Sequence, residues 1–108
     1  MQDQDGGVWA KEMSEQFGGF VMPDKDPLPY YIIGTGKPPY KSSCATADFA
    51  AVMAIAGRVY APHDAAFARK SLDAARRAWL WLDQNPNVLF RNPPGVRTGE
   101  YADGDCGD

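Results

Sequence analysis

Apolar residues recur at alternating intervals of four and three in two stretches of the chain. Over residues 46–60, the positions Ala45, Phe49, Val52, Ala56 and Val59 keep this rhythm. A helix returns to the same side every 3.6 residues, so they share one face. Thr46 is the expected N-cap, and Asp48 in the first turn suits the positive end of the helix dipole. Gly57 is the weak point of this helix, because glycine costs up to about 1 kcal/mol relative to alanine in a helix interior. Over residues 64–84 the rhythm continues through Ala68, Leu72, Ala75, Trp79 and Leu82. Asp64 is the N-cap directly after Pro62-His63, and Asn85-Pro86 stops the helix, since proline cannot continue it and restricts the residue before it. Only Ala61-Pro62-His63 separates the two stretches, which predicts an antiparallel hairpin. Its outer faces are expected to carry Met53, Ile55, Phe67 and Trp81, more apolar surface than one hairpin covers, which points to further packing partners.

The remainder lacks such periodicity. Residues 1–43 are loop-rich: five of the nine prolines fall between Pro23 and Pro39, where they interrupt helices and central strands alike. Gly6-Gly7 and Gly18-Gly19 mark tight turns. The run Tyr30-Tyr31-Ile32-Ile33 reads either as a short strand or as extended loop. Residues 85–108 are loop again, with an acidic, glycine-rich end. A structureless stretch as long as residues 1–43 is uncommon inside a compact domain and is expected to lie over another part of the protein. The fold class read from these patterns is all-α, about one antiparallel helical hairpin with long irregular loops.

Length and charge narrow the picture. A chain of 108 residues is one small domain, and at that size roughly two-thirds of the unfolded surface is buried, enough for a modest core. Eleven Lys and Arg against fourteen Asp and Glu leave a net charge of −3, which gives no support to nucleic-acid binding. Arg69, Lys70, Arg76 and Arg77 read as the wet side of the second helix. The two cysteines, Cys44 and Cys106, form no CxxC pair, and neither a disulfide framework nor a zinc ribbon is indicated. No apolar run approaches the ~20 residues of a membrane span, so no membrane partner is expected. The first seven residues lack the basic start and apolar stretch of a signal peptide. In a complete protein that would point to the cytoplasm; in an internal piece it carries no information.

Catalytic chemistry is sparse. Ser42 and Ser43 sit in no nucleophile elbow, and His63, the single histidine, reads as a loop residue beside a helix cap. Gly34-Thr35-Gly36-Lys37 lacks the first glycine of a phosphate-binding loop and runs into Pro38-Pro39 instead of a helix. Asp103, Asp105 and Asp108 supply oxygen ligands of the kind calcium takes, without the spacing of an EF-hand. Trp9, Tyr30, Tyr31 and Tyr40 offer rings that can stack on sugars, although aromatics at this frequency more often serve packing.

Five segments in order resemble glycoside hydrolase family 9, the inverting cellulases. They are Asp5-Gly6-Gly7-Val8-Trp9, then Phe17-Gly18-Gly19-Phe20-Val21-Met22-Pro23, then Ser42-Ser43-Cys44-Ala45-Thr46-Ala47-Asp48-Phe49-Ala50-Ala51-Val52-Met53-Ala54. Ala74-Ala75-Arg76-Arg77-Ala78-Trp79 with Leu82 follows, and then Asn92-Pro93-Pro94-Gly95-Val96 with Thr98-Gly99-Glu100-Tyr101 and Asp103. The resemblance implies part of a six-hairpin (α/α) toroid, residues 1–108 being an internal fragment of a catalytic domain that cuts β-1,4-glucans with inversion. It also implies an extracellular setting, because cellulose cannot enter a cell.

The same resemblance places no catalytic residue in this chain. The family's general base lies in an Asp-Ala-Gly-Asp motif that does not occur here, and Glu12, Glu15 and Glu100 do not stand in the context of its general acid. The isolated segment is therefore expected to be inactive. The resemblance implies a calcium loop at Thr98, Gly99 (through its carbonyl oxygen) and Asp103. It implies no zinc, because Ala10 stands where some relatives have a ligating histidine and alanine offers no donor. A non-catalytic carbohydrate-binding module and a helical interaction module are the alternatives to the hydrolase reading.

Overall fold

The computed structural model describes residues 2–14, 18–33, 40–91 and 94. Two helices dominate it, α1 over Ser43–Tyr60 and α2 over Ala65–Gln84. Ahead of them, β1 (Glu12–Met13) pairs antiparallel with β2 (Tyr31–Ile32), Glu12 opposite Ile32 and Met13 opposite Tyr31. The segment Tyr30–Ile33 thus supplies a short strand at its centre. One 3-10 turn, Pro23–Lys25, lies between the strands. Two isolated bridges, Gln2 with Val8 and Trp9 with Lys41, bind the N-terminal turn to itself and to the entry of α1.

The helices form because both ends of each are satisfied. Asp64 caps α2, its carboxylate accepting from the N–H groups of Ala66 and Phe67 at 3.0 and 2.9 Å, which fills two of the donors that a helix start leaves open. Asn85 ends α2, its N–H donating to the Leu82 carbonyl. At the start of α1 the structure corrects the sequence reading. The cap is Ser42, which has an extended backbone and whose hydroxyl accepts the Ala45 N–H, and the helix begins at Ser43 rather than at 46. Thr46 lies one turn inside. Its hydroxyl donates to the Ser42 carbonyl at 2.6 Å and accepts from the Val8 N–H at 3.0 Å. The two hydroxyls stand four residues apart, Ser42 capping the helix and Thr46 joining it to Val8. Asp48 is consequently exposed and beyond the first turn.

Ser43 shows that the helices run antiparallel. Its hydroxyl donates to the Asn85 carbonyl and accepts from the Val88 N–H, and its own N–H donates to the Val88 carbonyl. The start of α1 therefore touches the chain just past the end of α2. At the other end His63 and Asp64 both donate to the Tyr60 carbonyl, closing a tight turn, and the rings of Tyr60 and Phe67 meet edge to face with centroids 4.9 Å apart.

The buried faces follow the rows that the sequence singles out only in part, at Ala68 and Ala75. On α1 the row turned inward is Thr46, Ala50, Met53 and Gly57; on α2 it is Ala68, Ser71, Ala75 and Ala78. Small side chains let the two backbones approach closely, as at Gly57, where a β-carbon would lie 2.5 Å from Leu72 Cγ. Val52 (62% exposed) and Trp79 (69%), expected on the packed faces, look outward, as do Ile55, Val59 and Leu80. Trp81, expected on an outer face, is buried beneath the N-terminal turn, where a β-carbon on Gly7 would meet its indole. Cys44 is disulfide-bonded, a link that the wide spacing of the cysteines does not indicate, and its other half lies outside the described residues.

Candidate functional site

The densest polar cluster among the described residues sits where the N-terminal turn meets the hairpin. Asp3, Asp5, Gly6 and Gly7 form a double turn: Asp3 N–H donates to the Gly7 carbonyl, Gly6 N–H to the Asp3 carbonyl, and Gly7 N–H to the Asp5 carboxylate. The turn is glycine-specific at Gly6, whose φ of +100° is a region that L side chains rarely adopt. Gln2 reaches across it, its side-chain amide donating to the carbonyls of Gly6 and Ala74 and its amide oxygen accepting from Arg77.

Lys41 completes the cluster. Its side chain is only 7% exposed, and its ammonium lies 2.8 Å from Asp3 and 2.5 Å from Asp5. Burial pushes the Lys41 ammonium towards losing its proton, but the hydrogen bonds to Asp3 and Asp5 outweigh that and raise its pKa. The Lys41 hydrogen bond, helped by the Gln4 N–H, lowers the Asp3 pKa. For Asp5 burial works upward, and the Lys41 and Gly7 hydrogen bonds together outweigh it and lower the pKa. All three groups are therefore held charged across the neutral range. A carboxylate held ionised in this way is no proton donor, and one saturated with donors is a poor base. The arrangement is an anchor for the turn.

The other residues singled out from the sequence are dispersed. Thr98, Gly99 and Asp103 of the calcium loop lie outside the described residues, as do Asp105, Asp108, Glu15, Glu100 and Gly34–Lys37. Ala10 is half-buried beside Trp9 and brings no metal donor. The hydroxyls of Ser42 and Ser43 are committed to backbone groups at the start of α1 and just past the end of α2. His63 is exposed in the tight turn and Glu12 is exposed on β1. Among the described residues no group of three or more His, Cys, Asp or Glu is placed to hold a metal ion, and no helix is long and apolar enough to cross a membrane.

The aromatic residues do not converge either. Tyr30 and Tyr31 are adjacent in an extended segment, where successive side chains point to opposite sides; the Tyr30 hydroxyl is fixed at 2.6 Å from Asp26. Tyr40 is half-buried with φ of 59°, and the Trp9 indole N–H is buried without a hydrogen-bond partner among the described residues. What sequence reasoning missed is Lys41. No local signal marks it, because its two partners lie more than thirty residues earlier in the chain. A second feature, an open groove of about 650 Å³ against α1 and α2, is walled by Ala47, Ala51, Ala54, Leu72, Trp79 and Leu80. Its walls offer almost no hydrogen bonds, so it suits apolar packing and not a sugar.

Comparison with known proteins supplies what the site alone does not. The sequence model described as glycosyl hydrolase family 9 matches residues 1–108. Endoglucanase D of Acetivibrio thermocellus is 39% identical over 100 residues, a match spanning 93% of this chain and 15% of that protein. The xyloglucan-specific endo-beta-1,4-glucanase BoGH9A of Bacteroides ovatus is 34% identical over 114 residues, covering 95% of this chain and 18% of its own length. A solved thermostable endoglucanase from Alicyclobacillus acidocaldarius superposes with a TM-score of 0.79 at 40% identity, over 94% of this chain and 18% of that one. The chain thus spans less than a fifth of the length of these relatives.

Proposed function

The chain belongs to glycosyl hydrolase family 9, and from that membership we propose that it serves within an enzyme that hydrolyses β-1,4-glucosidic bonds in cellulose and related glucans with inversion. The observation that carries this reading is one superposition: this chain and 18% of a solved endoglucanase share their fold at a TM-score of 0.79 with 40% identity. Inversion needs one carboxyl to protonate the leaving oxygen and a second, on the far side of the sugar, to activate water, the two being ~6.5–9.5 Å apart. Asp3 and Asp5 are not that pair, since Lys41 binds both. Residues 1–108 therefore act as scaffold. The hairpin is one element of an (α/α) toroid, and its outward apolar residues Val52, Ile55, Val59, Trp79 and Leu80 are the faces on which further helices pack. Because its polymeric substrate cannot enter a cell, the enzyme works outside it.

The test is hydrolysis of a soluble cello-oligosaccharide by the intact protein, followed by proton NMR. The expected first product at the new reducing end is the α-anomer, with no sugar released by residues 1–108 alone. Early release of the β-anomer, or activity in the isolated segment, overturns the reading.

Calcium is part of the same proposal. Thr98, the Gly99 carbonyl and Asp103 offer the hard oxygen donors that Ca²⁺ takes, whereas zinc lacks a donor at Ala10. Titration calorimetry of the intact protein is expected to show calcium binding that Asp103→Ala weakens at least tenfold. No heat on adding calcium, or equal affinity in the variant, refutes the site.

A further inference from the structure

We propose that Asp3, Asp5 and Lys41 form an acid-released latch, which holds the N-terminal turn on the helical hairpin while both carboxylates are ionised and frees it as a unit when they are protonated. The geometry carries the argument. Lys41 stands one residue before the cap of α1, and its ammonium is almost wholly removed from water. Its described charge partners belong to one short turn, and that turn covers Trp81. A buried ammonium that loses its counter-charges is costly to keep, so it must either lose its proton or regain water. The low-cost route is for the turn to lift, because Asp3 and Asp5 are themselves part-exposed and the turn holds no helix of its own.

The charged groups facing the latch are few. From the turn they are Asp3 and Asp5; from α2 it is Arg77, which donates to Gln2. From α1 the facing groups are the hydroxyls of Ser42 and Thr46, which do not titrate. Only the two carboxylates thus change charge on the acid side. Their folded pKa values lie below the ordinary 3.8. Such groups contribute stability that is fully present above the unfolded value and is lost as pH falls through the folded one. Lys41 is shifted the other way, above 10.5, so its contribution is present below that value and lost at higher pH. The latch is closed between these limits and opens on the acid side, as pH falls through the lowered carboxylate values.

Opening has a local signature. The Val8 N–H is held by Thr46 and the Ser42 N–H by the Val8 carbonyl, so both amides lose protection when the turn lifts, while the amides of α2 keep theirs. Hydrogen exchange of the intact protein across pH 2.5–6 is expected to show Val8 and Ser42 deprotected at a higher pH than Ala75 and Ala78. In Lys41→Met, which keeps the stem without the charge, that early step is expected to vanish, the turn and α2 losing protection together. Should Lys41→Met fail to fold, Asp3→Asn with Asp5→Asn serves instead: the turn is expected to be open already at pH 6, with at least tenfold faster exchange at Val8. Joint loss of protection in the parent protein overturns the latch. So does an early step that persists in Lys41→Met, or a neutral-pH turn as closed in the double variant as in the parent.

Discussion

Gly6→Ala is expected to destabilise the protein by about 3 kcal/mol, the largest effect of any single methyl group in the described structure. Two independent costs meet at this position. Its φ of +100° lies where alanine is strained, a penalty of order 1–3 kcal/mol. A β-carbon there would also overlap the carbonyl oxygen and carbon of Arg77. Those atoms are helix backbone, so they cannot swing aside as a side-chain tip would, and overpacking of this kind typically costs 1–3 kcal/mol. Against them stands the usual gain of ~0.4–1 kcal/mol from stiffening the unfolded chain, which is too small to win. Urea denaturation of the intact protein checks this, and a midpoint equal to the parent's refutes it. The effect is expected at Gly6 and not at Gly19, where a β-carbon meets nothing within 4 Å.

Gly57→Ala is expected to change sign with its surroundings. In an open helix the substitution stabilises by up to about 1 kcal/mol. Here the new β-carbon would sit 2.5 Å from Leu72 Cγ and 3.2 Å from the Ala68 carbonyl oxygen. Relieving the first contact means pushing α1 and α2 apart or turning Leu72 outward, and ~1–3 kcal/mol of overpacking exceeds the helical gain. The expected net is a loss of about 1–2 kcal/mol. Leu72→Ala removes the two closest obstructing atoms and leaves only the milder contact with the Ala68 carbonyl, so in that background Gly57→Ala is expected to lose its penalty. The coupling between the two sites is then about 2 kcal/mol, well above what separate sites show. Additive effects in the double-mutant cycle would mean that the hairpin is not limited by this contact.

The Gly57 case also shows why the hairpin is legible in the sequence while its packed face is legible only in part. Existence, length and ends of α2 follow from local chemistry: Asp64 bonds the backbone two and three residues on, and Asn85-Pro86 cannot extend the helix. Periodicity then selects one row on each helix, and these rows are right at Ala68 and Ala75, which are buried, but not at Val52, Val59 and Trp79, which are exposed. Within the hairpin, however, the face that wins is the one with the smallest side chains, because close approach of two backbones needs Gly57, Ala50, Ala68 and Ala75. A pattern of sizes says that a helix has apolar faces without saying which neighbour each one meets.

Family membership was legible for a different reason, as ordered short motifs survive where pairwise contacts cannot be read. The Lys41 anchor is the counterexample. Asp3 and Asp5 are exposed-looking residues in a turn, and only the fold brings a lysine from the far side of two short strands to them. The same limit applied at Thr46, whose second hydrogen bond comes from Val8, 38 positions away.

The bonds from Ser43 to Asn85 and Val88 have one more consequence. They bring the entry and the exit of the hairpin to one point, while the opposite end is closed by the tight turn after Tyr60. The unit is therefore two-ended in character. At one pole the chain is too short to vary, and at the other both flanking segments leave side by side. Insertions can lengthen either of them without prying the helices apart. In a ring assembled from such units, variation in loop length collects on a single rim.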